Sequence, residues 1–572
     1  MSNFPGIRYQ TIGGIYKPVI VGATTERVTI IGTAVDGPLN VPTPVADSVS
    51  FARAFGPAIY SRGYKDPNTG AESGVPNGAS LPIAVGEALK GGCTDVWAVR
   101  ATGNYASAQY SGIFDIQANN PGRIYNEVSL AFSNVGGVLQ VVITQPLIKG
   151  GSLTVTLPSS SYTVDQAISY INAVNFNNTI NITRSTYASA LTLAATAVPS
   201  GTVTLAGGTN GCRSRGDDYG PEASGGVIGY AQMLTATDTG TFDTLYNNGF
   251  RSHQYVLADI YVDDQVATGG AASTTSIVVD FASFLDTCSS TLGPCHGIMS
   301  VRPPKAGSQA EIISWVNGNL LATNPGVWNS AQKWIKAGPF LYNTDTAMIR
   351  NDSVEGQVFT GKYVQVLAGP EVVLTNPDLG TYSNIPVGLY AGLLSTLPPE
   401  RAPIFSALPG VNAAAQPIPL KYAKMLVDGL GYNATQDLSG KGAYVVFTRS
   451  PRDGNLVVAK DCTIAPRNDY FNENQVVRVC QSIHNALSDS LFGFLGQPLT
   501  EPLRVAIDTR ITTVLEGYTN SGALKGSQGV GYNFSTEQIG NDNALGILRL
   551  KLELNLSSVL TTIIQSVTVS KN

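Results

Sequence analysis

Apolar positions along the chain follow three patterns, and each predicts a different kind of element. Val28 to Thr33 (VTIIGT) is a short unbroken apolar run closed by Gly37–Pro38, as in a strand buried on both faces. Asp47 or Ser48 caps a short helix through Phe51 and Phe55, which Gly56–Pro57 ends. Residues 61–80 read as a polar, Gly-rich loop. Leu81 to Lys90 predicts a second helix stopped by Gly91–Gly92, and Asp95 to Arg100 a second strand. That alternation is α/β grammar.

From about 103 to 221 the pattern changes. Strand runs at Glu127 to Phe132, Val138 to Thr144, Leu153 to Leu157 and Thr202 to Leu205 are separated by Gly or Pro, and only Val164 to Val174 reads as helical. This is a β-rich insertion. Strands at Tyr255 to Tyr261, Gly297 to Val301 and Tyr363 to Ala368 then alternate with helices at Val279 to Leu285, Ala310 to Leu321 and Val387 to Leu397.

Periodicity is clearest near the C-terminus. Val476, Cys480, Ile483, Leu487, Leu491 and Phe494 step by three and four, so one helix face is apolar. A second helix starts at Thr500, tolerates Pro502 in its first turn, and carries Leu503, Ile507, Ile511, Val514 and Tyr518 along one side. Gly517 or Gly522 ends it. Leu548, Leu550, Leu552, Leu554 and Leu556 then alternate strictly with Arg549, Lys551, Glu553 and Asn555, a strand with one face buried and one wet. A last uncharged strand, Ile563 to Val569, needs an edge to pair with. Either it forms a hairpin with the leucine strand, or it is donated to another subunit's sheet.

Composition narrows the classes. The 572 residues hold 35 Lys plus Arg against 40 Asp plus Glu, a net charge of −5, and only 13% are charged. That is about half the usual ~25%. Without clustered cations, direct nucleic-acid binding is excluded. The charge-free stretches Ser129 to Ile148 and Ser185 to Cys212 contain too many Gly, Pro, Ser and Thr for membrane insertion. The opening MSNFPGIRYQ shows no secretory pattern. Six cysteines in a chain of this length are too sparse for a disulfide scaffold, so free thiols and assembly in the cytoplasm are expected.

Catalytic and metal-binding patterns are absent. There is no phosphate-loop, nucleophile-elbow or HExxH motif. The one metal-like cluster, Cys288, Cys295 and His296, has the wrong spacing and no fourth ligand, so half-buried thiols are the expectation. His484 reads as a surface or capped histidine. Asp217–Asp218 and Asp263–Asp264 read as loop or strand-end decoration. Gly207–Gly208 reads as a turn. No catalytic, metal or cofactor residue is assigned.

Six segments, in order, resemble the tail sheath proteins of contractile-tailed bacteriophages, a family shared with tailocins and contractile injection systems. FPGIRYQ (Phe4 to Gln10) resembles the family's opening arm. Val28 to Gly56 is similar to its strand, Gly-Pro turn and short helix ending Phe-Gly, and Leu81 to Arg100 to its helix, Gly-Gly and strand ending in Arg. NNPGRIYNEVSLAF (Asn119 to Phe132) resembles its Pro-Gly turn, with Tyr125 where Gly is usual. LAGGTNG (Leu205 to Gly211) resembles its Gly-Gly-x-acid-Gly segment, with Asn210 in place of the acid. The end, from Val476 through GALKG (Gly522 to Gly526), resembles its C-terminal domain. Between 222 and 400 only the α/β character matches.

The combined expectation is an α+β multidomain chain. Residues 1–27 are an extended arm, 28–102 and 222–400 an α/β middle domain, and 103–221 a β-rich outer insertion. Residues 401–556 are a C-terminal, tube-facing α+β domain, and 557–572 a strand arm. The resemblance implies a non-enzymatic subunit without cofactors, stacked as hexameric rings in a helical sheath. Its implied partners are other copies of itself, the tail tube protein, and the baseplate and tail terminator proteins. Contraction would drive the tube through a host envelope. The setting would be a virion tail or, alternatively, a headless injection device. A more remote alternative is a β-rich hydrolase with an unrecognised site. Inter-subunit strands would carry Ile7, Tyr9, Ile12, Ile15 and Tyr16 at one end, and Val559, Leu560, Ile563, Ile564, Val567 and Val569 at the other. The leucine strand, Leu548 to Leu556, would accept them. Arg504, Arg510 and Lys525 are the candidate tube contacts, an ordinary solvated helix face being the equal alternative.

Overall fold

The computed structural model describes residues 26–56, 80–145 (bar 102 and 104), 151–174, 179–185, 192–193, 198–208, 234, 238–261, 277–301, 310, 313, 350–351, 358–368, 372–376, 380–409, 411, 444–464 (bar 451), 470–525 and 531–556 (bar 541 and 543–545). An eight-stranded sheet organises them. Its strands are β1 (Val28–Gly32), β2 (Thr43–Val45), β3 (Val96–Arg100), β4 (Gln254–Tyr261), β5 (His296–Ser300), β6 (Val364–Ala368), β7 (Tyr444–Arg449) and β8 (Leu456–Lys460). They lie in the order β2-β3-β1-β4-β5-β6-β7-β8. The six from β3 to β7 are parallel to their neighbours, and antiparallel β2 and β8 close the two edges.

Unbroken apolar runs form these strands because both faces are covered. On one face α3 (Thr241–Asn247), α4 (Ile277–Thr291) and the start of α6 (Asn474–Leu491) pack on Ile31, Leu257, Met299 and Val366. On the other, α1 (Ser48–Phe55), α2 (Leu81–Gly91) and α5 (Val387–Thr396) pack on Ile30, Val256, Ile298 and Val445. Neighbouring Ile30 and Ile31 thus serve opposite cores, as the period of two requires. Asp47 caps α1 in a capping box with Ser50, and left-handed Gly92 ends α2.

Between β3 and α3 sits the insertion. Its four-stranded sheet, built around the Ser129–Val135 and Val138–Thr144 hairpin, and a three-stranded sheet share one core with the helix Val164–Val174. Strands Ser107–Tyr110, Phe114–Ala118 and Ile180–Arg184, which periodicity missed, form the smaller sheet. The root of the insertion is clamped by fully buried Arg100, which donates to the carbonyls of Gly37 (3.2 Å) and Pro121 (2.6 Å).

One expectation changes. Strands β7 and β8, within the span read as the C-terminal domain, complete the central sheet, so that sheet extends past residue 400. Of the two stops expected for helix α7 (Glu501–Asn520), Gly522 holds: the helix runs through Gly517, with Val514, Leu515 and Tyr518 holding its last turns in the core, and ends just before left-handed Gly522. Most of the helix read over Ala310 to Leu321 lies outside the described residues.

Candidate C-terminal strand-accepting site

Helices α6 and α7 pack side by side and carry a two-stranded hairpin, β9 (Tyr532–Glu537) and β10 (Arg549–Leu554). Phe534 lies opposite Leu552, and Tyr532 opposite Leu554. The leucines of β10, with Leu548 and Leu556, face a core of Ile483, Leu487, Ile511, Val514, Leu515 and Tyr518. Arg549, Lys551 and Glu553 are exposed, as the alternation requires. Of the five leucines only Leu554 is buried; the other four are half-buried. The apolar face is therefore incompletely covered within one subunit.

Backbone parity defines the edge. The Asn555 N–H donates to the Gly531 carbonyl (2.9 Å), which sets residues 549, 551, 553 and 555 with their backbone groups toward β9. Leu550, Leu552 and Leu554 alternate with them and turn their N–H and C=O groups the other way. Among the described residues no strand lies on that side. The leucine strand thus has its hairpin partner upstream, in β9, and among the described residues its outer edge carries no strand. Strand β9 was not read from the sequence; the aromatic residues Tyr532 and Phe534, two apart, were its signal. Residues Ile7, Tyr9, Ile12, Ile15 and Tyr16, and Val559, Leu560, Ile563, Ile564, Val567 and Val569, lie outside the described residues.

The three cations expected to face a tube sit in different settings. Arg504 is half-buried and donates through Nη2 to the Thr536 carbonyl (3.3 Å), stitching α7 to the free side of β9. Thr536 Oγ1 in turn donates to Asp508 Oδ1 (2.9 Å). Arg510 is exposed, six positions on and so about 120° round the helix. Lys525 is exposed beyond the helix end, where its backbone N–H donates to the Asn555 carbonyl (3.3 Å).

The rejected chemistry has structural counterparts. His296 is buried rather than free to join the cysteines, its Nδ1 3.0 Å from Gln481 Oε1, and burial holds its imidazole down at about 4. Cys288 and Cys295 are fully buried, deeper than the half-buried thiols expected, and a hydrogen bond between them, with burial, pushes the Cys288 thiol far up. Among the described residues, no group of three His, Cys, Asp or Glu side chains is placed to hold a metal. His484, expected at the surface, is half-buried on α6, and burial lowers it to about 4. Gly208 exchanges two hydrogen bonds with Asn126 (2.8 and 2.9 Å), so the Gly207–Gly208 turn packs the insertion root. At the carboxyl end of β1, where doubly wound sheets leave a ligand crevice, Thr33 and Ser80 bond each other and Leu81 N–H takes the Thr33 carbonyl. The chain itself thus occupies the start of α2. Asp217–Asp218 and Asp263–Asp264 lie outside the described residues. Among the described residues, no helix is long and apolar enough to cross a membrane.

No protein-family model matches the chain, and no curated protein does. Solved structures do. A sheath tail protein from Listeria innocua is similar at 12% identity and a TM-score of 0.49, over 94% of this chain and 93% of that one. A sheath tail protein from Desulfitobacterium hafniense is similar at 12% identity and 0.44, over 91% and 95%. A chain of the anti-feeding prophage baseplate is similar at 12% identity and 0.46, over the whole of both chains.

Proposed function

We propose that this chain is the sheath subunit of a contractile tail or injection machine. The observation that carries the reading is the outer edge of β10, along which no strand lies among the described residues. The edge sits beside half-buried leucines, on the strand from which the chain continues into residues 557–572. The six ordered sequence segments support the same family.

In this reading each subunit accepts a strand on β10 from a neighbouring copy and donates its own ends in return. Hexameric rings stack around a tail tube, with baseplate and terminator proteins at the two ends. A donated strand adds several backbone hydrogen bonds, each contributing about 0.5–1.5 kcal/mol net. Those links hold a mesh together while the rigid sheet domains rotate past one another on contraction. The same subunit chemistry serves a virion tail or a headless device. The role is structural, with energy stored in packing.

Electron microscopy of the chain expressed alone tests this. Hollow helical tubes are expected, and a folded subunit lacking residues 559–572 should form none. Compact monomers at high concentration overturn the reading, and normal tubes from the truncated chain overturn strand donation.

A further inference from the structure

Glu26 is the last residue before Arg27 and β1, where residues 1–25 join the folded body. One of its carboxylate oxygens lies 3.2 Å from Arg478 Nη2, and the other accepts from Gln254 Nε2 (2.5 Å). The Arg478 side chain is fully buried on α6, and its guanidinium also donates to the carbonyls of Leu394 (2.8 Å) and Leu397 (2.7 Å), at the end of α5, and of Arg401 (3.4 Å). Partners 452 positions apart in sequence thus meet inside the molecule. Burial alone pushes the Glu26 carboxyl up, but Arg478 above all, then His296 and Gln254, bring it below the ordinary carboxylate value.

Arg27 is held just as firmly. Its N–H donates to His253 Nδ1 (2.9 Å), and its guanidinium to Asp95 (3.0 Å) and the Arg251 carbonyl (3.2 Å), over the Trp97 ring at 4.8 Å. Contacts made by Arg27 run to the sheet. One oxygen of the Glu26 carboxylate also reaches the sheet, at Gln254 of β4, but the other runs to α6, whose later turns carry Ile483 and Leu487 beneath the β9–β10 hairpin. Desolvating two charges is costly unless both are paired and bonded, and here both are.

We propose that the Glu26–Arg478 ion pair is a coupling lock, passing force on the N-terminal segment to α6 and the strand-accepting hairpin as well as to β1. The donated arm and the accepting edge of one subunit then move as a single body. Only this mechanical consequence rests on the sheath reading; the coupling itself does not.

Hydrogen exchange on the full-length subunit before assembly tests the lock. Glu26→Gln keeps the size and an acceptor but removes the charge. Arg478→Lys keeps the charge but loses the forked donors. Each is expected to speed exchange at residues 27–29 and 476–480 together, by roughly tenfold, with β5 unchanged. Loosening at 27–29 alone, or at neither segment, overturns the coupling. Should Glu26→Gln fail to fold, Arg478→Lys gives the same decision. In assembled tubes, Glu26→Gln should contract with loss of subunits where the unaltered tubes stay whole, and intact contraction would overturn the force path. Absence of tubes from the unaltered chain refutes the sheath reading and leaves the exchange result standing.

Discussion

Gly91 of α2 and Gly392 of α5 meet backbone to backbone: a Cβ built on Gly91 would stand 2.8 Å from the Gly392 Cα. The same Cβ would lie 2.7 Å from the Leu389 carbonyl oxygen, so neither helix has a side chain to turn aside. Gly91→Ala should therefore cost about 1–3 kcal/mol by overpacking, and Gly392→Val more. Thermal unfolding checks both. An unchanged melting temperature in Gly91→Ala would mean that the helices separate easily.

Edge geometry on β10 makes a sharper test of strand acceptance. The Leu552 N–H points outward and Lys551 N–H toward β9, by the parity that Asn555 sets. Proline is tolerated where the missing N–H faces the open edge. Leu552→Pro should leave a folded subunit that forms no tubes, whereas Lys551→Pro should break the hairpin. Circular dichroism and microscopy separate the outcomes. Tubes from Leu552→Pro would show that nothing adds at that edge.

The insertion root depends on a buried hydroxyl. Tyr125 donates to Asp36 Oδ1 at 2.5 Å, with Asn120 donating to the same oxygen at 3.2 Å. Tyr125→Phe removes the stronger donor from a buried carboxylate, a loss of about 1–3 kcal/mol. Denaturant unfolding measures it, and limited proteolysis should show faster cleavage between 103 and 208. A variant as stable and as resistant as the parent would refute the clamp.

Asp280 opposes stability at neutral pH. It stands in the first turn of α4, where burial pushes its carboxyl up to about 6. A folded-state value above the unfolded one favours folding at low pH, and the advantage is lost as pH rises through about 6. Asp280→Asn should therefore stabilise at pH 8 by roughly 1 kcal/mol, after allowing for partial solvent screening, and change nothing near pH 4. Melting curves at the two pH values decide it. Equal shifts at both would point to a cause other than charge.

Legibility followed the range of the interactions. The strand Val28–Gly32, the helix Val164–Val174 and the leucine alternation of β10 were readable because their patterns depend on local periodicity alone. Strands β7 and β8 were not read, although YVVFTR and LVVAK are unbroken apolar runs like that of β1; such a run gives a buried strand but not the sheet it joins. Arg504 shows what a local pattern leaves out. A cation on a helix reads as a free contact until the fold brings the Thr536 carbonyl to it.

By itself the sequence determined the kinds of element, the low charge and the leucine alternation, all properties of neighbouring residues. Only the tertiary structure decided that β10 pairs upstream with β9, with no other described strand along its far side. It also decided that Glu26 reaches Arg478 across 452 positions. The reason is physical: hydrophobic periodicity specifies which face of an element is buried, but not what buries it. Edge pairing and buried ion pairs depend on which distant backbone and charge arrive there, and that is a property of the assembled core.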